Sequence, residues 1–333
     1  MVESFLMTAE TNPHRWRIAL AFALVYVLWG STYLAMRIVV QHVPPAVMGA
    51  TRFLISGTLM LGWCLASGRK IAVTRKDLVR LAAIGVLLLV TGNVGVAWGE
   101  KYVASGLAAL VVAVVPLWVA LIELTILKTE RLARRGLAGL ALGIAGLAIL
   151  LWPRLTDNSL LSHKELGGVA ILIFASLSWA CGSITSRRSH LSIGPFAATG
   201  WEMTLAGLVN LALALAMGDF SRTTWSTSGY LSIAYLVTGG SLIGFTAYIW
   251  LLEHVPTSKV ATYAYVNPVV AVLLGWLILH EKVDGYVLAG TAVIICGVAL
   301  VTISKIKITP AASGALLAGE ATDEPEVTAC GAD

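Results

Sequence analysis

Six charged residues and two prolines interrupt long apolar runs of this chain, and they are where chemistry is to be sought. Arg37, Arg52 and Arg187 supply fixed positive charge; Glu100, Glu123 and Glu202 supply carboxyl groups able to exchange protons. A charged side chain at the centre of a hydrocarbon layer costs about 2.5–3.5 kcal/mol on insertion scales, so each of the six must face protein or water. Arg37, Arg52 and Glu100 fall toward one end of their runs, and Glu123, Arg187 and Glu202 toward the other. Two mouths, each holding Arg and Glu, can gate by alternate pairing. Arg52 and Glu202 lie in opposite halves of the layer and are not expected to bond one another. Glu123, desolvated among apolar neighbours, is the candidate for carrying a coupling proton.

The prolines are Pro116 in "SGLAALVVAVVPLW" and Pro268 in "YAYVNPVVAVLLGWLILHEK". Each lies about ten residues into its run, roughly 15 Å deep at 1.5 Å per residue. Proline removes a backbone donor and frees a carbonyl one turn earlier, which lipid cannot satisfy. A freed carbonyl facing a polar cavity binds water or cargo, and the bend serves as a hinge. Pro116 and Pro268 are therefore hinge candidates. Around them stand Trp29, Tyr33 and Arg37, spaced four apart on one helix face, with Trp179 and Ser183 as a matching face elsewhere. Ser31 is expected to point away from that face. Asn93 and Asn267 add amides at similar depth. Trp29, Tyr33, Asn93, Trp179, Ser183 and Asn267 thus form a candidate cavity lining, suited to a small amphipathic or aromatic solute.

Positioning these residues is the task of long apolar helices. Of the 333 residues, 58% are hydrophobic and 12% charged, against about 25% charged in soluble domains. Ten segments reach the roughly 20 residues a span requires: about 17–40, 46–67, 78–99, 104–127, 135–152, 167–187, 195–217, 229–252, 258–279 and 286–303. The fold class expected is an all-α polytopic membrane protein. With the N-terminus in the cytoplasm, 16 of the 23 basic residues fall on the cytoplasmic side, the positive-inside asymmetry. The net charge of +5 thus reports topology and not nucleic-acid binding. Both termini are expected in the cytoplasm, with residues 1–16 as an N-terminal segment that is not a cleavable signal. Residues 153–166 form an external linker and 305–333 a disordered tail, whose last 24 residues hold five acidic side chains and no basic one. Cys64, Cys181, Cys296 and Cys330 lack paired spacing.

The spans are duplicated. "WGSTYLAMR" (29–37) matches "WACGSITSR" (179–187) at a shift of 150, which also relates Gly57 to Gly207. Pro116 and Pro268 are 152 apart, and Glu130, Gly139 and Gly146 match Glu281, Gly290 and Gly297 at 151. Two repeats follow, 17–152 and 167–304, of five spans each. An odd number of spans inverts the second copy, a recurrent architecture of secondary transporters.

The stretches "LWGSTYLAMR", "SGLAALVVAVVPLW", "SWACGSITSRR", "ATYAYVNPVVAVLLGW" and "HEKVDGYVLAGTAVIICGVALV" resemble the EamA-type members of the drug/metabolite transporter superfamily, over roughly residues 18–304. The resemblance implies a ten-helix bundle with a central substrate cavity between its halves. It also implies export of small metabolites or drugs from a bacterial inner membrane. No GxxxxGK[ST] loop, HExxH or CxxC pattern occurs, so no cofactor, metal or catalytic residue is expected and the chain is read as a non-enzyme. Its expected partners are a small-molecule substrate and the lipid bilayer, with protons as the candidate coupling ion; an ion gradient, exchange or the substrate's own gradient are the energy sources left open. Two complete halves make a monomer sufficient, and a dimer is compatible with them. Inverted symmetry permits import or exchange as well as export. A lipid-handling enzyme would need clustered catalytic groups at one depth, whereas the six histidines lie in terminal or loop regions.

Overall fold

The computed structural model describes residues 13–127, 130–132, 134–156, 163–255, 260, 262–303 and 305–307. They fold into ten helical rods: α1 (Pro13–Val39), α2 (Pro45–Ala66), α3 (Arg75–Glu100), α4 (Ser105–Thr125), α5 (Arg134–Thr156), α6 (His163–Arg188), α7 (Pro195–Ala216), α8 (Thr227–Leu251), α9 (Tyr263–Leu279) and α10 (Gly285–Ile303). The first eight are long and apolar enough to cross a membrane; α9 and α10 hold shorter apolar stretches, Val266–Leu279 and Gly285–Val301. The chain is an all-α polytopic membrane protein of two repeats. Phe53, Met48, Leu110, Leu172, Met203 and Leu236 are fully buried between rods. Leu65, Leu231 and Leu288 lie mostly exposed on outer faces, as side chains solvated by acyl chains would be.

Local structure repeats with the sequence. Pro45 and Pro195 open α2 and α7, where a missing N–H loses nothing. Gly68 and Gly218, just beyond those helices, have φ +68° and +64°, the left-handed conformation that glycine adopts without a Cβ penalty. Thr74 and Ser226 cap α3 and α8 by accepting the N–H groups of Asp77 and Gly229, both at 3.1 Å. Both rods then widen into π-helix, at Val86–Val94 and at Leu236–Ile243. No residue pattern in the sequence announced that widening.

Counterpart helices pack on each other in reversed order. A Cβ built on Gly139 would meet the Gly297 carbonyl at 2.7 Å, and one on Gly146 the Gly290 carbonyl at 3.2 Å. The glycines read as repeat markers are thus the crossing of α5 with α10. In the α2–α7 crossing, a Cβ on Gly57 would lie 2.6 Å from the Thr204 nitrogen and one on Gly207 2.7 Å from the Leu54 nitrogen. Each glycine sits where two backbones touch.

Boundaries differ from the sequence expectation at three places. Helix α1 begins at Pro13, inside the segment assigned to 1–16. The 153–166 linker is shortened, because α5 runs to Thr156 and α6 starts at His163. Lys305–Lys307, assigned to the disordered tail, form a strand, β2, antiparallel to β1 (Glu130–Leu132) with Glu130 opposite Lys307. That ribbon ties the end of the second repeat to the α4–α5 turn of the first. The acidic part of the tail and Cys330 lie outside the described residues.

Candidate functional site

The fourth rod is broken where the proline falls. Its helix runs from Ser105 to Val112, turns at Ala113–Val114, and restarts at Val115 with Pro116 in the new first turn. The sequence placed Pro116 in mid-helix. Starting a helix is the less costly arrangement, since first-turn N–H groups have no intrahelical acceptor. Pro268 stays inside continuous α9. One turn before the prolines stand Val112 and Ala264, whose carbonyls a regular helix would have used. Both of these residues and both prolines line one cavity of about 120 Å³.

That cavity gathers most of the predicted lining: Trp29, Tyr33, Asn93, Trp179 and Asn267. Ser183 is not among its lining, because its hydroxyl donates to the Trp179 carbonyl of its own helix at 2.8 Å. Phe245 and Tyr263, which the sequence did not single out, complete an aromatic wall around Trp29, with ring centroids 5.2 and 5.1 Å away. The Trp29 indole donates to the Gly240 carbonyl at 3.1 Å, within the π-helical stretch of α8. Asn267 is 8% exposed. Its amide, oriented by its surroundings, donates to the carbonyls of Tyr263 at 3.2 Å and Tyr26 at 3.3 Å. Ser31 does not point idly away: its hydroxyl is hydrogen-bonded to Tyr235.

Arg52 lies in this lining. Nε donates to Ser241 Oγ and Nη1 to Asn93 Oδ1, each at 3.0 Å. Asn93 and Ser241 sit in the two π-helical stretches, so the guanidinium bridges counterpart segments of both repeats. Such segments recur at functional sites.

The remaining charged candidates lie apart from the cavity. Arg187 and Glu123 form an ion pair at 2.9 Å joining α6 to α4. Arg37 donates to the backbone carbonyl of Glu100 and not to its carboxylate. Both Glu100 carboxyl oxygens are buried without a hydrogen-bond partner among the described residues. Glu202, 9% exposed, forms no ion pair with Arg52. A second, larger cavity of about 670 Å³ runs between α1, α2 and α8. Apart from Arg17 its walls are almost wholly apolar and hold none of the predicted residues. No group of three or more His, Cys, Asp or Glu side chains that could hold a metal ion occurs among the described residues.

Two repeats enclosing one aromatic and polar cavity within a polytopic bundle define a membrane transporter. The chain belongs to the EamA-like transporter family, whose model matches residues 16–152 and 166–303. It is 40% identical over 286 residues to the uncharacterized inner membrane transporter YedA of Escherichia coli K12, covering 85% of this chain and 90% of that one. It is 24% identical to the uncharacterized transporter YoaV of Bacillus subtilis over 85% and 95% of the two chains. A solved crystal structure shares the fold, with a TM-score of 0.62 at 22% identity over 86% of this chain and 96% of the other.

Proposed function

We propose that the chain is a secondary transporter of the bacterial inner membrane, with both termini in the cytoplasm. It exports a small, ring-bearing solute by alternating access. The supporting observation is that one cavity is lined by repeat-matched pairs from both halves, Trp29 with Trp179 and Pro116 with Pro268. The antiparallel crossings of α2 with α7 and α5 with α10 favour an inverted relation between the repeats. A cavity between inverted copies can be reached from either face in turn at similar energy. The ten-helix reading counts α9 and α10 as spans. Trp29, Tyr33, Asn93, Trp179 and Asn267 contact cargo, and Pro116 and Pro268 bend. Arg37 with Glu100 and Arg187 with Glu123 act at the two ends, and Glu123 is the coupling carboxyl. The relative from Escherichia coli is itself named an inner membrane transporter.

The test is flux in proteoliposomes with labelled amino acids, purines and dyes, with and without an imposed pH gradient. Saturable flux that depends on the protein is expected for at least one ring-bearing solute. Absence of such flux across the panel would sink the proposal.

A further inference from the structure

Among the described residues, Arg52 is the one charged side chain lining the central cavity, and none of them supplies it a counter-ion. It is 2% exposed. Its acceptors, Ser241 Oγ and Asn93 Oδ1, are both uncharged, and Nη1 further approaches the Met36 sulfur at 3.9 Å. The Nη2 hydrogens meet no acceptor among the described residues. None of the ion pairs found there includes Arg52. The Phe53 ring, 5.0 Å from the guanidinium carbon, offers its face but no charge. Arg187, by contrast, has Glu123. Removing a cation from water without a counter-charge costs several kcal/mol. An intramembrane charge left in that condition marks a functional pathway by default.

We propose that the cargo is an anion, a compact carboxylate carrying a ring, and that the Nη1–Nη2 edge of Arg52 binds its carboxylate. The proposal rests on the transport function above and names the chemistry of its cargo. A planar guanidinium edge matches a carboxylate bidentately, which an ammonium cannot do. Trp29, Trp179, Phe245 and Tyr263 provide apolar area for the rest of the molecule. At about 120 Å³ the cavity is well below the 300–1,000 Å³ usual for drug-sized ligands, so the cargo held in this conformation is small. Asn93 and Ser241 hold the guanidinium by two of its five N–H groups and leave its charge unneutralised.

The experiment is titration calorimetry of the full chain in lipid nanodiscs with phenylacetate and phenylacetamide, which share a ring and differ in charge. Phenylacetate is expected to bind at least tenfold more tightly, and Arg52→Gln to erase that preference. Because Arg52→Gln removes two interhelical hydrogen bonds and can misfold, Asn93→Asp is the second variant. It places a carboxylate against Nη1 and satisfies the cation internally. It is expected to abolish phenylacetate binding while the melting temperature holds or rises. Equal binding of the two probes, binding of neither, or a preference that survives Asn93→Asp overturns the proposal. Flux in proteoliposomes separates it from the transport function. Carboxylate binding without flux sinks transport and leaves the Arg52 site standing; equal flux of acid and amide does the reverse.

Discussion

Glu281 accepts both the backbone N–H and the hydroxyl of Ser105, at 2.7 and 2.8 Å, and its second oxygen takes the Gly106 N–H at 3.0 Å. The two residues belong to different repeats. Ser105 and Gly106 open α4, whose first-turn N–H groups have no helical acceptor and attract negative charge. His280, immediately before the glutamate, is the one non-glycine residue with positive φ among those described, at +52°. That left-handed turn ends α9 and directs Glu281 back toward α4. Close approach is needed as well: a Cβ on Gly275 would lie 3.0 Å from the Glu281 carboxyl carbon.

Removing this carboxylate should loosen the join between the halves. Glu281→Ala is expected to cost about 2–3 kcal/mol, given three charge-assisted bonds that water partly replaces. Glu281→Gln should fall between. Thermal unfolding in detergent reads both, and an unchanged melting temperature in Glu281→Ala would show that the contact is incidental.

The glycine crossing gives a sharper prediction. A Cβ on Gly297 would come within 2.5 Å of the Gly143 nitrogen and 2.7 Å of the Gly139 carbonyl, all backbone. Gly297→Ala therefore forces α5 and α10 apart, at a cost of about 1–3 kcal/mol. Gly167, with nothing within 4 Å of such a Cβ, is the control, and Gly167→Ala should be silent. Equal stability of the two variants would contradict the crossing as described.

How much of this was legible beforehand follows from what kind of information each feature carries. Gly139, Gly146, Gly290 and Gly297 could be matched by offset alone, because backbone contact admits almost no other residue. Trp29 and Trp179 were legible for the same reason of ordered repetition. Glu281 was legible only as a repeat marker, since its partner lies 176 residues away in the chain. The π-helical stretches were invisible: "VLLLVTGNV" and "LVTGGSLI" read as ordinary apolar helix, and widening depends on tertiary contacts. Arg52 was recognised as costly, but depth counting along one helix could not tell a mouth from a cavity. Only the neighbouring helices α3 and α8 decide that. Ser183 looked like a lining residue by helical spacing, yet its hydroxyl bonds back to the Trp179 carbonyl one turn earlier in its own helix.

Arg187 and Glu123 are unequal partners, and their variants should differ. The arginine side chain is 51% exposed and the glutamate 9%. Glu123→Gln leaves an arginine that water can solvate, so its stability cost should stay below about 1 kcal/mol. Arg187→Gln takes away the arginine that pairs with a buried carboxylate, which should cost about 1–3 kcal/mol. Melting temperatures in the order wild type, Glu123→Gln, Arg187→Gln are expected. The reverse order would mean that Glu123 gains little from the pair.

Pro268→Ala tests whether the bend serves movement or only shape. Alanine restores the N–H that can reach the Ala264 carbonyl, closing the helical bond that proline leaves open. Pro268 and Ala264 both line the cavity, so the repair removes an acceptor from its wall and straightens α9 there. Static stability should therefore hold or rise by up to about 1 kcal/mol, as one helical bond is gained in a buried setting. Transport should suffer: the maximal rate of flux is expected to fall at least fivefold, while calorimetric affinity for cargo changes by less than threefold. A hinge that limits the exchange of inward and outward states separates rate from binding in this way. Pro116→Ala should act more weakly, because Pro116 starts a helix and leaves no mid-helix bond to restore. Full flux in Pro268→Ala, with an unchanged melting temperature, would make the proline a fixed kink and place the moving joint elsewhere.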